Sequence, residues 1–162
     1  ALHHLIPRIA EAFLDLQARC CAQLATEENG RQFEKDEWRR SNPDEGGGIT
    51  RILSGGQVLE KAGVNFSHVY GQDLPETATR RHPALVGACF EALGVSVVVH
   101  PKNPYVPTTH ANIRFFCAQP KDRGADPVWL FGGGFDLIHY YPFEVDCVDW
   151  HNAAHAACLP FG

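Results

Sequence analysis

A chain of 162 residues that is 44% hydrophobic and 20% charged fits one soluble globular domain with a hydrophobic core, which excludes disorder as the default state. The 19 acidic residues outnumber the 14 Lys and Arg residues, and the formal charge of −5 excludes the broad basic field of nucleic-acid-binding proteins. No run approaches the roughly 20 apolar residues of a membrane span. We therefore expect a soluble protein with no nucleic-acid partner and no membrane span.

The first predicted element is an amphipathic helix between Pro7 and Thr26. Pro7 suits the beginning of this helix, where its missing N–H leaves no hydrogen bond unmade. Apolar residues recur at spacings of three and four and predict a core-facing stripe of Ile9, Phe13, Leu16, Cys20 and Leu24. A strand is predicted at Phe33–Arg40, and the Pro and Gly residues of Asn42–Gly48 predict a loop.

The middle of the chain predicts a β-hairpin and two alternating strands. Ile49–Leu53 and Val58–Tyr70 flank a Ser-Gly-Gly turn, which is typical of a hairpin. The stretch His82–Ala92 is predicted to be helical. Apolar and polar residues then alternate in Gly94–His100 and again in Thr109–Ala118, so both segments are predicted to be strands.

The last part of the chain predicts one more strand and a second helix. The strand Val128–Phe131 runs into three glycines and the segment Phe135–Tyr141. A helix is predicted at Asp146–Cys158, with Asp146 as its N-cap and an apolar stripe of Cys147, Trp150, Ala154 and Cys158. The predicted fold class is α+β, a large and mostly antiparallel sheet of five or six strands with helices at both ends.

A row of polar residues on the strand Thr109–Ala118 is the most informative local feature for function. Alternation along a strand points His110, Asn112 and Arg114 to one side, where an amide, a guanidinium fork and an imidazole can converge on one anionic ligand. Ser96 and His100 share one face of the preceding strand and join this site if the two strands are neighbours. The alternative is a solvent-exposed polar face of a half-buried sheet, with Ser96 and His100 as structural residues.

Other patterns are less specific. His151 and His155 lie four residues apart on the last helix, which suits either a divalent metal or an ordinary polar edge. The glycines Gly46–Gly48 and Gly132–Gly134 suit turns or close approach of a ligand, but they lack the Lys-Ser/Thr of a phosphate-binding loop. The six cysteines include no CxxC pair of zinc-site spacing, and we expect reduced thiols that mostly lie in the core.

Three long segments resemble the oxygen-dependent coproporphyrinogen III oxidase family. They read GGGITRILSGGQVLEKAGVNFSHVYG, GVSVVVHPKNPYVPTTHANIRFF and VWLFGGGFDLIHYY. The similarity is collinear from about Gln32 to Gly162, and PYVPTTHAN and the final ACLPFG are most similar to bacterial-type members. The chain departs from the family at Ile138 and His139, where members have Thr and Pro.

This resemblance implies a broad antiparallel sheet flanked by helices, a homodimer, and an enzyme of haem biosynthesis that is cytoplasmic, as in bacteria, or mitochondrial, as in many eukaryotic members. The implied reaction is oxidative decarboxylation of coproporphyrinogen III to protoporphyrinogen IX, with O₂ as co-substrate and no organic cofactor. The implied site residues are His110 as the catalytic proton-transfer histidine, Ser96, Asn112, Ile113 and Arg114 as substrate contacts, and His100, His110 and His151 as ligands of a divalent metal.

Members of this family continue well beyond the length of this chain. We therefore expect residues 1–162 to be the N-terminal portion of a single coproporphyrinogen oxidase domain, with activity that requires the C-terminal half. Two other hypotheses remain. One is a truncated, non-catalytic fragment that binds a tetrapyrrole or dimerises, and the other is a metal module built on His100, His110, His139 and His151.

Overall fold

The fold, taken from a computed structural model that describes residues 4–74, 79–80, 82–122 and 124–162, is an antiparallel sheet with a helix before and after it. Within these residues six strands follow one another in sheet order, and each strand pairs antiparallel with the next. The helices and strands are α1 Leu5–Thr26, β1 Glu34–Arg39, β2 Gly46–Ser54, β3 Leu59–Gly71, β4 Cys89–Pro101, β5 Thr108–Gln119, β6 Val128–Ile138 and α2 Glu144–Cys158. The predicted α+β class is confirmed.

Helix α1 covers one side of the sheet, which we call the core face. Its apolar residues pack on strand residues that alternate inward, among them Leu53, Val64, Leu93, Val95 and Phe115. The predicted stripe is confirmed in part, because Phe13 is buried while Ile9, Leu16, Cys20 and Leu24 are half-buried against the core. Gln17 is also buried in the middle of this helix, although its polar side chain did not predict burial.

Gln17 and Glu28 anchor α1 to the sheet by polar contacts. The Nε2 of Gln17 donates to the carbonyl oxygens of Ile49 at 2.7 Å and Val64 at 2.8 Å. Just beyond the helix, the buried Glu28 carboxylate accepts main-chain N–H bonds from residues 57–59, at the turn between β2 and β3. These hydrogen bonds, that of Leu59 foremost, lower the pKa of Glu28.

The predicted strands are present, but β2 begins at Gly46, within the predicted loop Asn42–Gly48, because its glycines pair with β1 and β3, and β4 begins at Cys89, five residues before the predicted start. Gly55 has a φ of +63° in the turn between β2 and β3, as a tight hairpin requires. The glycines Gly132–Gly134 do not end a strand, because β6 continues through them from Val128 to Ile138. No described helix is long and apolar enough to cross a membrane.

Two predictions at helices are wrong. His82–Ala92 is not helical, since a single 3₁₀ turn at Pro83–Leu85 is followed by Gly87 with a φ of +69°, and β4 begins at Cys89. The residues from Cys89 onward form a strand instead, because they pair with β3 and β5. Asp146 is not the N-cap of α2, because Phe143 holds that position and Asp146 lies in the first turn.

The cysteines are distributed between the core and the surface. All six are free thiols in the structure. Cys21 and Cys117 are buried and Cys20 and Cys147 half-buried, while two others, Cys89 and Cys158, are exposed. Burial raises the pKa of Cys21 to about 11, so this thiol is packed rather than reactive.

Candidate active site

The side of the sheet opposite α1 carries the candidate site, and we call it the polar face. In register across the sheet, Asn65 of β3 pairs with Ser96 of β4, which pairs with Asn112 of β5, which pairs with Gly134 of β6. Residues directly opposite in antiparallel strands place their side chains on the same face. The four positions therefore form one row across the sheet, bordered at its β6 end by a position with no side chain.

The polar side chains of this row make no hydrogen bond with any described residue. Within the described ranges, no hydrogen bond engages the side chains of Asn65, Ser96 or Asn112. All three are half-buried, so their positions are held by the strands while their donors and acceptors remain available. The prediction that Ser96 and Asn112 share one site is consistent with this register, which brings the two strands together as neighbours.

Arg114 lies next to this row and is a cation with no ion-pair partner among the described residues. It is exposed, and none of the ion pairs between described residues includes it. Its register partners are glycines on both sides, Gly94 on β4 and Gly132 on β6. A free guanidinium with space around it is suited to bidentate binding of a carboxylate.

His110 lies on the other side of the row and contacts a carboxylate. Its Nδ1 is 3.1 Å from Oδ1 of Asp136, its register partner on β6. The imidazole side chain is 38% exposed, so it is held by β5 while remaining open to a ligand above the sheet. The polar face thus combines a proton-transfer group, a cation and unpaired amides on three adjacent strands.

The predicted metal ligands do not assemble into a metal site. His100 lies at the exposed end of β4, where its Nδ1 is 3.4 Å from the hydroxyl of Thr108, while His151 is an exposed residue of α2. Throughout the part of the chain that the structure describes, no group of three or more His, Cys, Asp or Glu side chains is arranged to hold a metal ion. The residues present do not fit a divalent metal, and we derive no step through one.

Ile113 is placed differently from the other predicted substrate contacts. It alternates with Asn112 and Arg114, and its side chain faces the opposite side, where it lines an apolar groove of about 540 Å³ with Leu16 and Cys158. Only its main chain is therefore shared with the polar face. A substrate contact by Ile113 remains a prediction, and on the polar face it would involve the main chain of this residue.

Sequence reasoning missed three residues of the polar face. Asn65 and Ser67 alternate with the buried Val64 and Phe66 along β3. This alternation could have predicted that both polar residues lie on the face opposite the core. Asp136 lies on the same face of β6 as Gly132 and Gly134, but its contact with His110 depends on the pairing of β5 with β6. Sequence pattern alone does not give that register.

The two triple-glycine segments serve different purposes. A Cβ on Gly46, Gly47 or Gly48 would collide with main-chain oxygens of neighbouring strands or with the Trp38 ring, so these glycines are required by packing. At Gly134, by contrast, a Cβ would meet no described atom within 4 Å. Gly134 keeps the polar face open beside Asn112, as a close-approaching ligand would need.

Comparison with known families places most of the chain in one family. A sequence model described as Coproporphyrinogen III oxidase matches residues 8–162. The match includes α1, all six strands of the described sheet and α2. It therefore covers every residue of the candidate site.

Proposed function

Because the chain belongs to the coproporphyrinogen III oxidase family, we propose that it takes part in the oxidative decarboxylation of coproporphyrinogen III to protoporphyrinogen IX in haem biosynthesis, with O₂ as oxidant. The observation that supports this most is that Arg114 and the row of polar side chains beside it, on an open sheet face, have no partner within the part of the chain that the structure describes. The substrate is a tetrapyrrole that carries four propionate groups. A carboxylate-bearing ligand of that size needs both a cation and a broad surface.

Substrate binding is assigned to β3, β4 and β5. The guanidinium of Arg114 binds one propionate through two parallel N–H donors. Asn65, Ser96 and Asn112 supply amide and hydroxyl donors to a second polar group of the substrate, since they form a continuous row beside Arg114. Gly134 leaves room for the macrocycle at the end of this row.

Proton transfer is assigned to His110. The imidazole takes a pyrrole N–H proton, and the electron pair of that N–H bond stays on the pyrrole, which activates the ring toward O₂. For each propionate, a C–H bond and the bond to the carboxyl carbon break, and a vinyl group and CO₂ form. Two electrons pass to O₂, which becomes H₂O₂ by taking the proton of the C–H bond and one proton from solvent. The proton on His110 then returns to the pyrrole nitrogen. O₂ accepts both electrons, so the reaction as proposed requires no organic cofactor.

We also propose that the protein acts as a homodimer, as the family resemblance implies. The edge strand β6 exposes Trp129, Leu130 and Phe131, with side chains 46–53% accessible, and such a patch is typical of an association surface. Light scattering of the purified protein measures the oligomeric state, and a monomeric mass would contradict this assignment. Location in the cytoplasm remains a prediction from the resemblance.

The proposed function is tested by the fluorescence of porphyrin product. The full-length protein that contains residues 1–162 is incubated with coproporphyrinogen III in air and under nitrogen, and the products are oxidised to porphyrins and separated. We expect protoporphyrin in air only, its loss in His110→Ala, and its retention in His155→Ala, a matched control at an exposed histidine of α2.

Each alternative gives a distinct result in this assay. Equal turnover under nitrogen would contradict the use of O₂. Binding of the tetrapyrrole without turnover would identify a non-catalytic binding protein. Full activity in His110→Ala would remove the assigned role of His110.

A further inference from the structure

We propose that Asp136 is a positioning residue for His110, which fixes the imidazole tautomer so that Nε2 is the atom that accepts the substrate proton. This inference rests on the proposed function of His110 and adds a residue and an atom to it. The contact that carries it is the 3.1 Å distance between Nδ1 of His110 and Oδ1 of Asp136.

The backbone holds the two side chains against each other. His110 and Asp136 are direct register partners in the interior of β5 and β6, so both Cα positions are fixed by strand pairing. On its other side His110 pairs with Val98 of β4, which offers the ring no polar partner. Among the described residues, Asp136 is therefore the one polar side chain in contact with the His110 ring.

The chemistry of this pair selects one tautomer. An ionised carboxylate only accepts hydrogen bonds, so the neutral imidazole must carry its hydrogen on Nδ1 to satisfy Asp136. The lone pair is then on Nε2, the ring nitrogen that faces away from Asp136. When Nε2 takes a proton, the carboxylate also stabilises the positive charge of the resulting imidazolium.

Stability of the fold does not account for the contact. The His110 and Asp136 side chains are 38% and 60% exposed, and exposed pairs of this kind contribute little to the free energy of unfolding. Asp136 makes no other ion pair among the described residues. The pair therefore orients a ring on an otherwise open face.

The tautomer can be measured without any activity. Two-bond ¹⁵N–¹H correlation spectra of the ¹⁵N-labelled protein at pH 8 identify which ring nitrogen of His110 carries the hydrogen, and His110→Ala assigns the signals. We expect the Nδ1–H form in the unmodified protein and its loss in Asp136→Ala. The matched control is Asp126→Ala, which removes an exposed carboxylate before β6, and it should leave the tautomer unchanged.

Turnover is measured on the same variants. General acid–base catalysis contributes about 10²–10⁴-fold, and we expect Asp136→Ala to lower kcat by roughly 10- to 100-fold with a smaller change in KM. Asp136→Asn keeps an oxygen that can accept from Nδ1–H, and its kcat should lie between those of Asp136→Ala and the unmodified protein. Thermal unfolding midpoints close to that of the unmodified protein would show that each variant folds.

The outcomes separate this inference from the proposed function. The same tautomer in Asp136→Ala as in the unmodified protein would overturn the role of Asp136, and so would a changed tautomer with a kcat equal to that of Asp126→Ala. If the unmodified protein has no turnover, the proposed function fails, while the spectra still decide whether Asp136 sets the tautomer.

Discussion

Arg114 lies directly opposite Gly132 across β5 and β6, and a Cβ on Gly132 would be only 3.3 Å from Nε of Arg114. The absence of a side chain at position 132 therefore leaves the guanidinium free to move over the polar face. On its other side Arg114 pairs with Gly94, which also has no side chain. This pair of glycines makes Arg114 an accessible cation on an otherwise uncharged stretch of β5.

Substitution of Arg114 should weaken substrate binding more than it slows catalysis. Charge-assisted hydrogen bonds contribute about 1.5–3 kcal/mol, and we expect Arg114→Ala to raise KM roughly 10- to 100-fold. Arg114→Lys keeps the charge and loses the fork, so its KM should be intermediate. Steady-state kinetics measure both, with Arg8→Ala on the exposed side of α1 as the control.

Substitutions of two neighbouring glycines of β6 should have different effects, one on stability and the other on substrate binding. A Cβ at Gly133 would be 2.5 Å from the main-chain oxygen of Asn112, so Gly133→Ala should lower the free energy of unfolding by about 1–3 kcal/mol. A Cβ at Gly134 would contact no described atom within 4 Å, so Gly134→Val should leave unfolding by urea unchanged. The same variant should raise KM, because the valine side chain would lie on the polar face, where the ligand is proposed to bind. An unfolding midpoint lowered equally in both variants would contradict this distinction.

The two hydrogen bonds of the buried Gln17 side chain should contribute to the free energy of unfolding. Gln17→Met keeps the size of the side chain and removes both donors to the main chain of β2 and β3, which should cost about 1–3 kcal/mol. Urea unfolding measures the change. Gln23→Met at an exposed position of α1 should have little effect, and an equal loss in both variants would show that helix formation, not the buried contact, is responsible.

Glu28 should make stability dependent on acid pH. Its pKa is lowered in the folded chain, foremost by the Leu59 N–H, so its contribution is present above the unfolded carboxyl pKa of about 4.3 and is lost as pH falls through the lower folded value. Glu28→Gln should be less stable than the unmodified protein at pH 7, and the difference should shrink toward pH 3. Urea midpoints measured from pH 3 to 7 test this, with the exposed Glu27→Gln as the control.

Local pattern was sufficient for most of the secondary structure. The alternation in Gly94–His100 and Thr109–Ala118 predicted β4 and β5 because one side of each strand packs against α1. The prediction of a helix at His82–Ala92 was wrong because Gly87 takes a positive φ and the residues after it pair with two neighbouring strands. Such pairing overrides local propensity, and it is not encoded in the segment itself.

The sequence by itself determined the α+β class, the hairpin turn and the shared face of His110, Asn112 and Arg114, because a period of two along a strand fixes which side chains lie together. Only the tertiary structure decided that Asn65 and Asp136 lie beside them and that the Ile113 side chain faces away. These relationships depend on register between strands and on where α2 packs. Register is set by contacts between residues distant in the chain, so no single segment contains it.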